Sequence, residues 1–352
     1  MIADPPTSLP RPAPNALSLP AAPSVSVVVP NWNGRRWLPA CLSALRGQRL
    51  APAEVIVVDN GSDDGSVEYL RAEHPEIELL ELGLNTGFAH AVNRGLRAAR
   101  HDLIALINTD VTLEPDWLAR MVAALEGDPA TASVACKMLE LADPRVIYDA
   151  GDLLRRDGAC IQRGRRCRDD GSWDAPGEVF GACAGAALYR RQAVLAVGGF
   201  DERYFAYLED VDLALALRLA GWRCRYEPAT ALHAGEGSSH QLAGGHHYYV
   251  QRNTVLLVAK AFPVRWLPLV AYRQVAAAWR AARERRLWVH LRGLAAGARL
   301  VPGVLRERHA AAAHRPVPIA ATVPRMPLIG RRAAGHRSQI AASWERTQRP
   351  PV

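Results

Sequence analysis

The chain has 352 residues, 49% of them hydrophobic, so it is long enough to bury one large core or two smaller ones. Its formal charge of +8 is uneven: residues 262–352 contain 17 Arg, 3 Glu and no Lys or Asp, a net charge of +14, which leaves −6 on residues 1–261. The six cysteines lack the paired short spacing of zinc or redox motifs, so neither kind of site is predicted. No apolar run reaches the roughly 18–20 residues that span a bilayer, so no transmembrane helix is predicted.

Residues 1–23 are rich in Pro, Ala and Ser, with neither the basic start nor the apolar core of a signal peptide, and are predicted to be a disordered leader. From Val25 onward, short apolar runs alternate with amphipathic stretches. The predicted strands are SVSVVVP, EVIVVDN, IELLEL and LIALI, and helices are predicted through Trp37–Leu45, Phe88–Leu96 and Trp117–Leu125. This alternation predicts an α/β fold with a mostly parallel sheet covered by helices.

Unusual polar segments follow each of these strands. They read PNWN after the first strand, DNGSDDGS after the second, NTGFAHAVNRG after the third and NTD after the fourth. Asn, Asp and Gly also dominate ordinary turns for backbone reasons. Because ligands of parallel sheets bind at the carboxyl ends of strands, four such segments in succession favour a binding site there.

Asp110 comes directly after the strand LIALI, with Asn108 two residues before it. A carboxylate at the rim of the sheet suits a hard divalent cation, Mg²⁺ or Mn²⁺, which takes up the charge of a leaving diphosphate. Asp110 is therefore the candidate metal ligand. The alternative, a cap for a helix beginning near Pro115, carries equal weight at this point.

A second acidic segment, LEDVD, precedes a strongly apolar helix. Acidic residues in a first helical turn are favoured by the helix dipole, so one of the three, Asp212, is interpreted as structural. The helix dipole does not explain why three acids lie together. Asp210 is the candidate general base, and Glu209 remains an alternative.

His233 follows a predicted strand, RCRYEP, and lies in a segment rich in Gly and Ser that suggests a mobile loop. A single histidine is more often a packed or surface side chain than a ligand, so the residues alone favour the structural interpretation.

The region after His233 mixes Trp, Tyr and Leu with Arg. Amphipathic helices of this composition, predicted over 241–308, suit the surface of an anionic membrane. An ordinary helical subdomain packed on the core is nearly as well supported. Residues 309–352, rich in Ala, Pro and Arg, are predicted to be a disordered basic tail.

Taken together, VVVPNWN, VVDNGSDDGS, NTGFAHAVN, NTD and LEDVD resemble the family 2 glycosyltransferases of GT-A fold, particularly their rhamnosyltransferase-like branch. The resemblance runs from about Val25 to Ser239. It implies a Rossmann-like catalytic domain over 24–240, with a nucleotide-binding half at 24–112 and an acceptor-binding half at 113–240, followed by the helical extension.

The resemblance also implies roles for individual residues. Asp110 and His233 are expected at the metal, with His233 either a ligand or a diphosphate contact, and Asp210 is expected to be the catalytic base. The residues expected to bind the donor are Pro30, Asn31, Asn33, Asp59, Asn85, Gly87, Phe88, Asn93 and Asn108. The family often has a carboxylate where this chain has Asn108, which puts the strength of metal binding in question.

The implied activity is inverting transfer of a sugar, such as rhamnose, from a nucleotide-diphosphate donor to a lipid-linked or cell-envelope glycan. The expected location is the cytoplasm, peripheral to the inner face of the cell membrane. A nucleic-acid-binding protein would explain the Arg-rich tail but would leave Asp59, Asp110, Asp210 and His233 without a role, so no nucleic acid partner is expected. A catalytically inactive scaffold of the same fold is the other alternative.

Overall fold

The computed structural model describes residues 23–235, 242, 245–312 and 317–323, and in residues 309–312 only the backbone. The strands of the described chain are β1 Val25–Asn31, β2 Glu54–Asp59, β3 Glu78–Glu81, β4 Leu103–Ile107, β5 Val111–Leu113, β6 Thr131–Glu140, β7 Ile147–Asp149, β8 Asp152–Leu154, β9 Cys160–Gln162, β10 Gly177–Val179, β11 Ala186–Arg190 and β12 Arg223–His233. The helices are α1 Leu38–Arg46, α2 Ser66–Glu73, α3 Phe88–Ala98, α4 Trp117–Glu126, α5 Arg191–Ala196, α6 Glu209–Leu219, α7 Gly245–Ala261, α8 Leu267–Arg283, α9 Leu287–Ala312 and α10 Ile319–Thr322.

A central sheet runs in the order β10-β12-β6-β11-β4-β1-β2-β3, with β5 also paired to β12 and β7 to β6. The half formed by β4, β1, β2 and β3 is parallel, because a crossover helix joins each of β1, β2 and β3 to the next strand in the chain. The apolar, β-branched strands β1 and β4 lie at its centre and are almost completely buried. Helices cover both faces, and each face has its own hydrophobic core.

The second half of the sheet differs from the mostly parallel arrangement that the sequence predicts. Strand β11 pairs antiparallel with both β4 and β6, while β6 and β12 pair parallel, so the whole sheet is mixed. Residues 127–200 contain no repeated alternation of strand and helix, so strand direction there follows tertiary pairing rather than a crossover unit.

The C-terminal helices pack on the catalytic core. Leu257 and Phe262, at and just after the end of α7, share a hydrophobic cluster with Leu215 of α6 and Leu154 of β8. Helix α9 lies close against α7, and a Cβ at Gly297 would come within 2.5 Å of the carbonyl oxygen of Arg252. The alternative of a packed helical subdomain is therefore correct for α7.

The outer side of α8 is different because large apolar side chains remain exposed on it. Tyr272, Val275 and Trp279, spaced to share one helical face, are 74%, 71% and 60% exposed, and Trp288 at the start of α9 is 72% exposed. In the described part of the chain, no helix is long and apolar enough to cross a membrane. The predicted leader at 1–23 lies outside the described residues except for Pro23, and most of the predicted basic tail at 309–352 also lies outside them.

Candidate active site

A cavity of about 590 Å³ opens at the carboxyl ends of β1, β2 and β4 and extends toward α6, α7 and α8. Its volume falls within the range of about 300–1,000 Å³ that is typical of small-molecule sites. Eight of the predicted site residues line it: Pro30, Asn31, Asn85, Phe88, Asn108, Asp110, Asp210 and His233. The structure therefore brings together residues from both predicted halves of the catalytic domain.

Asp59 organises the loop that borders the cavity. Its Oδ1 accepts hydrogen bonds from the backbone N–H groups of Gly61 and Ser62, and its Oδ2 accepts one from the side chain of Asn31 at 2.7 Å. Asn33 ties the same two loops together, because its Oδ1 accepts from the N–H of Asp63. Neither Asp59 nor Asn33 lines the cavity, so both position Asn31 and its neighbours.

The segment before α3 forms the adjoining wall. Asn85 Oδ1 accepts from the N–H of Gly87 and from the side chain of Asn60, which itself lines the cavity. Gly87 has a φ of 93°, and a Cβ there would come within 2.7 Å of the ring of Phe205, so a side chain would be both strained and crowded. This tight turn places Phe88 at the cavity.

Asn93 is buried away from the cavity. Its Nδ2 donates to the carbonyl of Phe200 and to Glu202, and its Oδ1 accepts from the N–H of Phe200. These bonds join α3 to the segment that leads to Asp210. The structure therefore gives Asn93 a positioning role rather than the expected contact with the donor.

The pairing of β5 with β12 explains how Asp110 meets His233. In this antiparallel pair His233 lies opposite Val111, and the N–H of Ala234 donates to the carbonyl of Asp110. Nδ1 of His233 lies 3.7 Å from Oδ2 of Asp110.

Asp110 does not cap α4, because β5 intervenes and the residue before α4 is Asp116. His233 is the last residue of a strand rather than part of a loop, and residues 236–241 lie outside the described chain.

The hydrogen bonding of His233 defines which nitrogen can donate. Nδ1 accepts from the N–H of Gly235 at 2.8 Å, so in the neutral ring the proton is on Nε2. Burial lowers the pKa of His233, which favours this neutral form, although the nearby carboxylate of Asp110 acts in the opposite direction. A ring that donates from Nε2 suits a diphosphate oxygen better than a metal ion.

The rim also offers oxygen atoms suited to a divalent cation. Oδ2 of Asp110 and Oδ1 of Asn108 are buried and have no hydrogen-bond partner among the described residues. Buried oxygen atoms in this state are normally paired, and hard cations such as Mg²⁺ and Mn²⁺ prefer such ligands. Among the described residues no group of three His, Cys, Asp or Glu side chains could hold a metal, so most ligands would have to come from the substrate.

Asp210 faces the cavity from the first turn of α6. Its Oδ2 accepts from the N–H of Ala184, and its Oδ1 accepts from the N–H of Val211. Burial raises the pKa of Asp210 above that of an ordinary aspartate, although these backbone bonds lower it. A carboxylate with a raised pKa and an open path to the cavity is suited to accept a proton.

The neighbouring acids of LEDVD have different surroundings. Asp212 pairs with Lys260 of α7 at 2.5 Å and accepts a hydrogen bond from the hydroxyl of Tyr204, which agrees with the structural role predicted for it. Glu209 is 6% exposed, and its Oε2 has no partner among the described residues. Burial raises the pKa of Glu209 well above its usual value.

Two more carboxylates stand behind Asp210. Asp152 lines the cavity, and Asp149 is fully buried with Oδ2 lacking a partner in the described chain. Burial, with a further contribution from Asp210, raises the pKa of Asp149 to about 7. Sequence reasoning missed both residues, because β7 and β8 are only three residues long and show no clear periodicity.

The loop that leads to Asp210 has a strained backbone. Phe205, Tyr207 and Leu208 have φ values of 64°, 71° and 67°, which are unfavourable for residues other than glycine. Strain of this kind costs about 1–3 kcal/mol per residue and persists only where surrounding contacts impose it.

Asn253 of α7 supplies those contacts. Its buried Nδ2 donates to the carbonyl oxygens of Tyr204, Ala206 and Tyr207 at 3.0, 2.8 and 2.7 Å. The sequence gives no distinct signal for this role, because Asn253 lies among other polar residues of α7 in the segment VQRNTVLLV.

An aromatic stack lies beside Asp110 on the cavity wall. The rings of Tyr148 and His233 are stacked with centroids 4.1 Å apart, and the guanidinium of Arg165 lies 3.8 Å from the centroid of Tyr148 on the cavity wall. In the part of the chain that the structure describes, Arg165 has no carboxylate at ion-pair distance, so its charge is available to an anion. The Arg-rich segment QRGRRCR gave no signal of this, because such runs are usually solvated.

Comparison with known proteins relates this site to sugar transfer. The model of glycosyl transferase family 2 matches residues 26–198. Over 273 residues the chain is 29% identical to the N-acetylglucosaminyl-diphospho-decaprenol L-rhamnosyltransferase of Mycobacterium tuberculosis (strain CDC 1551 / Oshkosh), covering 67% of this chain and 88% of the relative. It is also 34% identical to the pre-mycofactocin glycosyltransferase of the same strain over 221 residues, which cover 59% of this chain and 43% of the relative.

Two solved structures share the fold. One is GalNAc-T7 with UDP, GalNAc and Mn²⁺, with a TM-score of 0.56 and 14% identity over 69% of this chain and 48% of that one. The other is the mannosyltransferase PcManGT of Pyrobaculum calidifontis with GDP-Man and Mn²⁺, with a TM-score of 0.51 and 22% identity over 84% of this chain and 82% of that one. These similarities confirm the predicted α/β fold of GT-A type.

Proposed function

Since this chain belongs to glycosyl transferase family 2, we propose that it transfers a sugar from a nucleotide-diphosphate donor to a hydroxyl of a lipid-linked or cell-envelope glycan. The observation that carries the proposal is one cavity lined by Asn31 and Asn85 for the donor, Asp110 and His233 for the diphosphate, and Asp210 for the acceptor. The sugar proposed is rhamnose, because a relative of which this chain covers 88% is named for rhamnosyl transfer.

The proposed reaction is a single in-line displacement at the anomeric carbon. Asp210 removes the proton of the acceptor hydroxyl, the acceptor oxygen forms a bond to the anomeric carbon, and the bond from that carbon to the diphosphate breaks. Such a displacement inverts the anomeric configuration. The raised pKa of Asp210 makes it a stronger base than an ordinary aspartate. The other contribution to the rate is the positioning of the two substrates in one cavity.

Asp110 and Asn108 would hold the divalent cation, Mg²⁺ or Mn²⁺. When bound, this cation neutralises charge that develops on the departing diphosphate. His233 donates from Nε2 to a diphosphate oxygen, and Arg165 adds a positive charge to the same side of the cavity. The leaving group is thus stabilised by fixed donors that need no rearrangement during the reaction.

The exposed apolar face of α8 is proposed to rest on an anionic membrane at the cytoplasmic side. Tyr272, Val275 and Trp279 supply apolar contacts, and the exposed arginines around them supply positive charge: Arg265, Arg280, Arg283, Arg285, Arg286 and Arg292. Each basic residue near such a surface contributes about 1 kcal/mol. This arrangement brings the cavity to the surface where a lipid-linked acceptor resides.

Two other functions remain as competitors. A catalytically inactive scaffold would retain the fold without turnover, and a nucleic-acid-binding protein would use the same arginines. The raised pKa of Asp210 and the unpaired oxygen of Asp110 favour the enzyme, because neither is needed for those functions.

Thermal-shift screening of nucleotide sugars, with and without Mn²⁺, tests the proposal. We expect one nucleotide sugar, a deoxythymidine-diphosphate sugar such as the rhamnose donor, to raise the melting temperature, and to do so more strongly with Mn²⁺. The same donor should be hydrolysed slowly without acceptor. If no nucleotide sugar binds, the scaffold or the nucleic-acid interpretation would replace this one.

A further inference from the structure

The end of the cavity farthest from the strand rim has a composition of its own. It lies between the β8–β9 hairpin and helices α7 and α8, where Cys160, Thr254 and Arg273 line it. The donor residues described above all come from the opposite, strand-end wall. This inner end has therefore no role in binding the nucleotide.

Arg273 carries a positive charge there that nothing in the described chain neutralises. Its Nη1 is buried and has no hydrogen-bond partner, and no carboxylate lies at ion-pair distance from it among the residues described. An acid that acts on it electrostatically, Asp157, is paired with Arg155 at 2.9 Å. An unsatisfied charged donor is costly to bury, so such a group facing a cavity indicates an anionic ligand.

Two residues of α8 and α9 also have buried polar atoms without partners in the described chain. Both side-chain polar atoms of Gln274 and both ring nitrogens of His290 are buried without partners in the described chain. His290 lies within electrostatic range of Arg273, and burial lowers the pKa of His290. Helices α8 and α9 therefore bury further polar atoms that lack partners, and of these three residues Arg273 is the one that lines the cavity.

The position of Arg273 relative to Asp210 decides which substrate supplies the anion. Arg273 acts on Cys160 and Asp157 of the β8–β9 hairpin, whereas Asp110 acts on His233 and Tyr148 at the other end. Cys160 is within electrostatic range of both Arg273 and Asp210. The acceptor hydroxyl has to reach Asp210, so an anion at Arg273 belongs to the acceptor and the donor diphosphate remains at Asp110.

We propose that Arg273 binds a phosphate or diphosphate group of the acceptor, which links the acceptor sugar to a lipid. This inference rests on the proposed function, because it assumes that Asp210 receives the acceptor. Arg273 follows Tyr272, at the exposed apolar face of α8, so a lipid chain attached to the phosphate leaves the cavity beside the proposed membrane surface. A guanidinium suits this group because it donates two parallel hydrogen bonds to phosphate oxygens.

Isothermal titration calorimetry with geranyl diphosphate tests the subsite directly. EDTA is included so that any cation-dependent diphosphate binding at Asp110 is suppressed. We expect the wild-type protein to bind geranyl diphosphate, and Arg273→Gln to bind it at least tenfold more weakly. Arg273→Lys should fall between them, since it keeps the charge but loses the paired donors. Arg299→Gln, an exposed change on α9 outside the cavity, should bind like the wild type.

Two further ligands separate the anion from the lipid. Geraniol should bind at least tenfold more weakly than geranyl diphosphate, and inorganic pyrophosphate should bind more weakly than geranyl diphosphate but still depend on Arg273. Equal binding of geranyl diphosphate by wild type and by a folded Arg273→Gln, or equal binding of geraniol, would overturn the proposal. Pyrophosphate that binds as tightly as geranyl diphosphate would overturn the lipid part.

Donor hydrolysis distinguishes this subsite from the proposed function. Arg273→Gln should hydrolyse the nucleotide sugar at the wild-type rate, because the donor end of the cavity is unchanged. A wild-type protein that binds geranyl diphosphate through Arg273 but hydrolyses no nucleotide sugar would refute the proposed function and leave the anion subsite in place. Hydrolysis of the nucleotide sugar without Arg273-dependent binding of geranyl diphosphate would refute the anion subsite and leave the proposed function in place.

Discussion

Nδ1 of His233 lies 3.7 Å from Oδ2 of Asp110, because the antiparallel pair of β5 and β12 sets His233 opposite the residue that follows Asp110. Nδ1 is already bonded to the N–H of Gly235. The contact therefore places a neutral imidazole beside the carboxylate without using the free oxygen of Asp110. It leaves that oxygen and Oδ1 of Asn108 for a cation.

The first prediction concerns that cation. Asn108→Asp should lower the Mn²⁺ concentration that gives half-maximal donor hydrolysis by about tenfold, because it adds a second carboxylate to the rim. Asp110→Asn should raise the same concentration by at least as much. Titration of EDTA-treated protein with Mn²⁺ measures both, and Asp63→Asn, an exposed change in a nearby loop, is the control. Full activity of Asp110→Asn without added metal would refute the assignment.

The second prediction concerns the base. Asp210→Asn should reduce turnover by about 10²- to 10⁴-fold, because an amide cannot take up the proton of the acceptor hydroxyl, while the KM for the donor changes little. Glu209→Gln is the matched comparison and should retain most of the turnover. If Glu209→Gln loses turnover and Asp210→Asn retains most of it, Glu209 is the base.

The third prediction concerns pH. The pKa of Asp149 is raised to about 7, mainly by burial, so its protonated form is favoured in the folded state. The stability associated with this group is complete below the unfolded pKa and is lost as the pH rises through about 7. Asp149→Asn should therefore raise the melting temperature, relative to wild type, more at pH 8.5 than at pH 5.5. An equal shift at both values would contradict the raised pKa.

The fourth prediction concerns the loop before Asp210. Asn253→Asp removes the N–H donors of three hydrogen bonds and places a carboxylate against carbonyl oxygens, a change that costs at least about 1–3 kcal/mol. We expect kcat to fall at least tenfold, with the donor KM little altered. Leu257→Ala, a buried change on the same helix, should destabilise the fold by about 2–5 kcal/mol but leave kcat near wild type at low temperature. Equal kcat values for the two variants would argue against a positioning role.

The fifth prediction concerns the membrane. The protein should float with vesicles that contain anionic lipid at low salt and less well at high salt, because the arginine contacts are screened. A Tyr272→Ser, Trp279→Ser double variant should float less at both salt concentrations. Leu84→Ser removes an exposed apolar side chain elsewhere and should behave like wild type. A wild-type protein that never floats would refute the membrane surface.

The first half of the fold could be predicted from sequence because its signals are local. The strands β1, β2 and β4 are β-branched apolar runs, and α1, α3 and α4 show apolar residues at helical spacing, so short-range pattern defines them. Between residues 127 and 200 the strands are mostly short and pair with distant partners. No local pattern predicted that β11 would run antiparallel between β4 and β6.

What the sequence determined by itself was the chemistry available, namely which carboxylates, amides and imidazole stand at strand and helix ends. Tertiary structure alone decided how each is used. Asn93 and Asp59 are expected from the sequence to contact the donor, and the structure shows that their side chains also make internal hydrogen bonds, while Asn253 and Arg273, on later helices, reach the loop of Asp210 and the inner cavity. The physical reason is that the side chains that face the cavity are selected by which elements pack together, and those elements lie far apart in the chain.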